Sequence, residues 1–314
     1  MKIPPSSTDL SSPSLLSALC AVASSSATYA HLDKQSDRET GSSYPALMGI
    51  LNITEDSFSD GALWMDPEKA AQHAIEMLDS GASIIDIGAE STRPGAKTIP
   101  EELEKSRIEA VLTALHTIAS DRQITLPAIS IDTRKSSVAD LGIKLGATMI
   151  NDISAMQFDP DMLDVLKSNP SVQVLLMHSQ GNPETMQLDP HYKDVLADIT
   201  CFLEERIACC VKHGISEERI IVDPGIGFGK LLSHNLKILA NLDHFRALGV
   251  RIALGASRKS FINQIFPTPP NERLAGSLAA ALFAIICNID VLRVHDVKEH
   301  SQFFWVLKKI AQSR

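Results

Sequence analysis

The chain has little of what marks several common protein classes. Its five cysteines, Cys20, Cys201, Cys209, Cys210 and Cys287, are odd in number and form no C-x-x-C pair. Such usage reads as a reducing compartment in which thiols serve as small apolar residues, not as a disulfide framework. No apolar run approaches the roughly 20 residues that a membrane-spanning helix requires, so no membrane partner is expected. Basic residues are outnumbered, 29 Lys and Arg against 38 Asp and Glu, for a formal net charge of −9. That balance argues against nucleic acid as a partner, yet a few local cations can still hold a small anionic substrate. Neither H-E-x-x-H nor G-x-S-x-G occurs, so zinc-protease and serine-hydrolase templates find no foothold. The glycine-rich stretch VDPGIGFGK (222–230) is no phosphate loop either. Gly225 to Gly229 is one residue too short for a Walker A loop, and Leu231 follows Lys230 where a metal-binding hydroxyl belongs.

What is present is ordinary globular material: 314 residues, 44% hydrophobic and 21% charged. Residues 1–43 are rich in serine and lack a long periodic segment, which predicts a mobile extension ahead of a domain over 44–314. Within it LLSALCAVA (15–23) is like a short signal-peptide apolar region, but only Lys2 and the amino terminus supply charge before it. An amphipathic helix or loose tail on a cytoplasmic protein is the expectation.

From Pro45 the chain alternates. Eight short branched, apolar runs fall at 46–51, 83–88, 128–132, 148–152, 172–177, 219–223, 251–257 and 290–296. Near-continuous apolar strands suit a parallel sheet buried on both faces. Helical patterns lie between them, near 66–81, 101–120, 136–145, 192–213, 235–248, 273–288 and 298–312. In the first, Asp66 is placed to cap, Pro67 takes the first helical position and Gly81 closes. The α/β class with a (β/α)8 TIM barrel is the predicted fold; a doubly wound open sheet is the alternative.

Nearly every run ends in chemically able groups: Asn52; Asp86 and Glu90; Asp132; Asn151 and Asp152; His178; Asp223; SRKS (257–260); and Arg293, His295 and Asp296. In a barrel these ends converge on one mouth. Arg93, Arg258, Lys259, Arg293 and His295 supply cations there, and Ser260 stands near a helix start whose free N–H groups would favour an anion. Asp132, Asn151 and Asp223 end interior strands, where an unpaired charge is costly, so they need donors. A flat heterocycle with an amino group beside a ring N–H would give one carboxylate two parallel hydrogen bonds. Pairing with Lys259 or Arg293 alone is the other way to satisfy them.

Taken in order, MGILNITEDSFSDG (48–61), GAESTRPGA (88–96), ISIDTRKS (129–136), INDISA (150–155), LLMHSQGNPETMQ (175–187), VDPGIGFGK, LGASRKSF (254–261) and RVHD (293–296) resemble dihydropteroate synthase, over about 45–312. The resemblance implies a (β/α)8 barrel. It further implies an Mg2+-dependent transferase of folate biosynthesis that joins 6-hydroxymethyl-7,8-dihydropterin diphosphate to 4-aminobenzoate, releasing diphosphate. It implies pterin binding by Asp132, Asn151, Met177, Asp223 and Lys259, and a magnesium ligand in Asn52 near the diphosphate. Diphosphate contacts fall to Asn52, Thr92, Arg93, Arg293 and His295. Phe58, Thr92, Pro94, Phe228, Lys259 and Ser260 match positions around 4-aminobenzoate, with Arg93 between the two substrates. Asp60, Arg93, Asp132, Asp223 and Lys259 are the expected catalytic set, with Asp60 expected to help stabilise the cationic charge that develops when the C–O bond breaks.

The family's loops here at 52–62 and 91–97 close over substrates, and its members are usually homodimers; SLAAALFAIICNI (277–289) is a candidate contact, with burial against the barrel the plainer reading. An arylamine is already neutral at pH 7, so no strong general base is needed. Glu55 and Ala62 depart from the family's usual proline and glycine, whereas STRPG and GIGFGK are intact, so nothing marks a sulfonamide-insensitive replacement. No pyrophosphokinase segment is expected ahead of the barrel. A pterin-dependent methyltransferase and a non-catalytic pterin-binding homologue are the competing readings.

Overall fold

Each apolar run becomes a strand, and the eight strands pair in parallel, in chain order, until β8 closes back onto β1. They are β1 (Ala46–Asn52), β2 (Ile84–Gly88), β3 (Ala128–Asp132), β4 (Met149–Asp152), β5 (Gln173–Met177), β6 (Ile220–Asp223), β7 (Arg251–Leu254) and β8 (Val291–Val294). The structure is a computed structural model; it describes residues 44–54, 65–93, 95–181, 186 and 188–313. The Ser-rich extension, Glu55, Phe58, Asp60, Ala62 and Pro94 lie outside the described residues. No described helix is long and apolar enough to cross a membrane.

Helices alternate with the strands: α1 (Pro67–Asp79), α2 (Glu101–Arg122), α3 (Ser136–Lys144), α4 (Met162–Ser168), α5 (Val195–Lys212), α6 (Leu232–Ala240), α7 (Ser260–Ile265), α8 (Leu274–Ile286) and α9 (Val297–Gln312). Asp66 caps α1 as its sequence requires, Oδ1 accepting from Glu68 N at 3.0 Å and Lys69 N at 3.4 Å. The helix expected over 235–248 is two pieces. Asn241 leaves helical geometry at φ −135°, ψ 40°, and its side chain closes α6 by donating to Lys237 O at 2.7 Å; a 3-10 stretch, Leu242–Leu248, follows.

Strand alternation builds two cores. Outward residues such as Leu47, Ile85, Ile131, Val222 and Leu292 join the helices in the large core. Inward residues Met48, Ile84, Met149, Leu175, Ile221, Ala253 and Val291 fill the barrel floor. Side chains repeat every second residue along a strand. Two positions beyond the floor, toward the C-terminal ends, stand Asp86, Asn151, Met177, Asp223, Gly255 and Arg293. A further two bring in Asn52, Asp132 and His295, counting from Met48, Ala128 and Val291. One parity rule therefore carries the polar residues of different strands to the same mouth.

Candidate active site

At the centre of the mouth Arg293 joins two acids from neighbouring strands. Its Nε donates to Asp86 Oδ2 at 2.6 Å and an Nη to Asp132 Oδ2 at 2.8 Å. Asn151 Nδ2 donates to the same Asp86 oxygen at 3.0 Å. Asp86 is fully buried and its Oδ1 has no partner among the described residues. Sequence reasoning placed Asp86 at a strand end but not in the binding set. The signal was available: an acid inside a buried apolar strand requires donors. Burial pushes the Asp132 carboxyl up to about 7, with Asp86 adding to the rise and the Arg293 charge opposing it. Burial works against the Arg293 charge as well, but the two acids more than offset it and raise its pKa.

Asp223 is held differently. Its Oδ1 accepts from Gly225 N at 2.7 Å and its Oδ2 from Gly255 N at 3.1 Å. Burial raises its pKa, with Lys259 the main opposing charge. Burial in turn lowers Lys259 to about 8, against the pull of Asp223. Lys259 Nζ donates to Ile226 O at 2.5 Å and lies 4.2 Å from the centre of the Phe228 ring. So Asp132, Asn151, Asp223, Lys259, Arg293 and Phe228 come together, with Met177 buried at the level of Asn151 and Asp223, packed on the floor residues.

The glycines and lysine of VDPGIGFGK have local work. Gly225 and Gly229 have φ +72° and +62°, and an added Cβ would come within 1.9 Å of His178 O and 2.5 Å of Gln180 O. They let the β6 loop pack backbone-to-backbone on the β5 loop. Lys230 Nζ is buried and faces protein acceptors: His178 Nδ1 at 2.9 Å, Phe228 O at 3.0 Å and His178 O at 3.4 Å. Burial holds both Lys230 and His178 far below their ordinary pKa values. His178, a strand-end group, thus staples two loops together. Asp152, on the opposite parity, caps its own turn through Ser154 N, Ser154 Oγ and Met156 N.

Two expected cations change character. His295 is kept neutral: burial first, then the charges of Arg258, Arg293, Arg93 and Lys259, hold its pKa well below the imidazole value. Its Nδ1 lies 3.1 Å from Ser257 Oγ. Arg258 spends its charge on Asp296, with Nε to Oδ2 at 3.0 Å and an Nη to Oδ1. Thr92 and Arg93 are half-buried. Ser260 is exposed at the first residue of α7, which is only six residues long, so the dipole expected there is small.

A magnesium ion suits hard oxygen ligands and often keeps several waters and substrate phosphates. Among the described residues no group of three or more His, Cys, Asp or Glu is arranged to hold a metal. Half-buried Asn52, at the end of β1 with its Cα paired to Gly88, offers one neutral amide oxygen. This donor set fits a cation carried mainly by a substrate's phosphates, and does not fit an all-protein metal cage.

A parallel barrel whose C-terminal end gathers buried acids, an amide and two cations defines an enzyme site for a small ligand bearing both donors and negative charge. Comparison with known proteins narrows the class. Residues 48–295 match the pterin binding enzyme family. The dihydropteroate synthase of Escherichia coli K12 is 45% identical over 257 residues, 82% of this chain and 88% of that one. A structure of the Yersinia pestis dihydropteroate synthase in a sulfonamide drug complex is 40% identical with a TM-score of 0.80, covering 87% of this chain and 96% of that one. The Xanthomonas albilineans dihydropteroate synthase with 4-aminobenzoic acid is 39% identical with a TM-score of 0.76, covering 85% and 93%. This chain belongs to the pterin-binding enzyme family, among the dihydropteroate synthases.

Proposed function

We infer that this chain makes 7,8-dihydropteroate for folate biosynthesis from 6-hydroxymethyl-7,8-dihydropterin diphosphate and 4-aminobenzoate. The amine nitrogen attacks the pterin methylene carbon. The C–O bond breaks with its electron pair leaving on diphosphate, and the new C–N nitrogen gives up one proton. The observation that carries this reading is the shared inward register of Asp86, Asp132, Asn151, Asp223 and Arg293 in a chain of this family.

Asp223, already oriented by two backbone N–H groups, holds the donor edge of the ring. Asp132 and Asn151 take further ring contacts, Asp86 Oδ1 accepts a remaining donor, and Met177 forms an apolar wall. Donors brought by the ring replace those of Arg293 on Asp132, which leaves that guanidinium to the departing diphosphate, together with Thr92, Arg93 and an N–H of neutral His295. Lys259, Phe228, Thr92 and Ser260 surround 4-aminobenzoate; Phe58, Asp60 and Pro94 are assigned with them on the sequence resemblance alone. When bound beside Asn52, Mg2+ would neutralise charge on the diphosphate. Residues 44–314 form the catalytic domain and 1–43 an extension. The enzyme is taken to be a cytoplasmic homodimer; exposed Trp305, Val306 and Ile310 on α9 support a contact between copies.

The test is diphosphate release measured with both substrates and Mg2+, without 4-aminobenzoate, and with a chelator. Release that requires all three components, with dihydropteroate formed in equal amount, is expected. No product from the complete mixture would sink the assignment.

A further inference from the structure

The ISIDTRKS block brings three residues next to Asp132 that the chemistry above does not use: Thr133, Arg134 and Lys135. All are buried, and they close a network with two buried acids. Lys135 Nζ donates to Glu90 Oε2 at 2.9 Å, to Glu104 Oε2 at 2.5 Å and to Ile99 O at 2.9 Å. Glu90 Oε2 also accepts from Ile99 N at 3.0 Å, and its Oε1 accepts from Arg134. Glu104 Oε1 accepts from Thr133 Oγ1 at 2.6 Å. Two acids meet two bases, so the charges balance. Burial alone would raise the Glu90 pKa; the hydrogen bonds and charges of Arg134 and Lys135 outweigh it and lower it.

The network sits at the base of one loop. Glu90 precedes the 91–98 segment and Ile99 follows it. One carboxylate and one ammonium therefore bind both ends, Ile99 through its N–H and its carbonyl alike. The ammonium is anchored in turn on Glu104, in the first turn of α2. Thr92 and Arg93 lie two and three residues beyond Glu90, and Lys135 lies three beyond Asp132. The clamp thus ties the loop to the strand end that carries Asp132.

We propose that Lys135 is a positioning residue for the arylamine half of the reaction: with Glu90 and Glu104 it closes the base of the 91–98 loop and fixes Thr92 and Arg93 relative to Asp132. This rests on the reading of that loop as a wall of the 4-aminobenzoate site. A general structural role predicts a loss of stability and nothing selective. Positioning predicts a loss at the groups that Thr92 and Arg93 meet and none at the pterin ring.

The experiment compares Lys135→Met, the double variant Lys135→Met with Glu104→Gln, and Thr92→Ala, by steady-state kinetics and thermal unfolding. Lys135→Met leaves a buried acid unpaired and is expected to lower the melting temperature. The double variant removes the charge pair as a unit, a change that buried ion pairs tolerate, and so stays folded even where the single variant does not. In it the KM for 4-aminobenzoate should remain raised about tenfold, the size of one lost charged hydrogen bond, while the calorimetric affinity for 6-hydroxymethyl-7,8-dihydropterin, which lacks the diphosphate that Thr92 and Arg93 also meet, stays within about twofold. A double variant that recovers both melting temperature and KM would overturn the proposal, since Lys135 would then act through charge balance alone. So would an equal loss of affinity for the diphosphate-free pterin. Thr92→Ala separates the failures. If it raises the 4-aminobenzoate KM while the double variant does not, only the clamp is wrong. If neither does, the reading of the loop falls, and the clamp with it.

Discussion

Replacing Gly225 with alanine should damage this protein far more than the same change at Gly214, although both glycines have left-handed backbones, φ +72° and +92°. The comparison isolates one contact. A Cβ at Gly214 meets nothing within 4 Å, so only backbone strain is added, about 1–2 kcal/mol. A Cβ at Gly225 would sit 1.9 Å from His178 O, and real Cβ contacts essentially never fall under 3.0 Å. The neighbour is backbone, so the β5 and β6 loops must separate by about 1 Å or more. Two hydrogen bonds stand in the way: His178 N to Asp223 O at 2.9 Å, and Gly225 N to Asp223 Oδ1 at 2.7 Å. Losing both adds about 1–3 kcal/mol to the same strain, for a total of about 2–5 kcal/mol out of the 5–15 kcal/mol typical of a folded domain. Denaturant unfolding of the two variants reads the difference, which should be about 1–3 kcal/mol. Because Gly225 N orients the Asp223 carboxylate, calorimetry should also find weakened pterin binding in Gly225→Ala and unchanged binding in Gly214→Ala. Equal stabilities for the two variants would show that the loops yield easily and that the packing argument is wrong.

Asp132 links pH to both stability and binding. Its folded pKa, about 7, lies above the ordinary 3.8, so its contribution to stability is present below about pH 4 and is lost as pH rises through 7. Pterin binding uses the ionised form and should strengthen over that upper range. Asp132→Asn should flatten both profiles between pH 4 and 7; an unchanged stability slope would contradict the assignment. Lys230→Met should cost about 1–3 kcal/mol, from acceptors left without their donor. Through the freed Phe228 carbonyl it should raise the 4-aminobenzoate KM while inhibition by diphosphate stays the same. Loss of diphosphate inhibition would mean that Lys230 reaches phosphate after all.

Much of the fold is legible along the chain because parallel barrel strands are continuous apolar runs. The run at 128–132 is β3 without adjustment, and 46–51 differs from β1 by one residue. Departures have local causes. The run at 251–257 stops pairing at Leu254 because Gly255 N turns to the Asp223 carboxylate. The run at 290–296 gives a strand over Val291–Val294; past its C-terminal end His295 N donates to Ser257 Oγ, and before its start Asp290 still pairs its backbone with Ile252 and Ala46. Helix α4 is seven residues long, too short to display a period.

The site divides along the same line. Alternation by two, written in each strand, determined that Asp132, Asn151, Asp223 and Arg293 would face inward at one end, since a strand can send a side chain to only two faces. Which charges meet there was decided by closure of the barrel, which sets Arg293 against Asp86 across 207 positions of chain. The neutrality of His295, the burial of Lys230 and the clamp at Lys135 belong to that second kind of fact. Desolvation and Coulomb energies depend on distances through the folded interior, and no local pattern of residues encodes those distances.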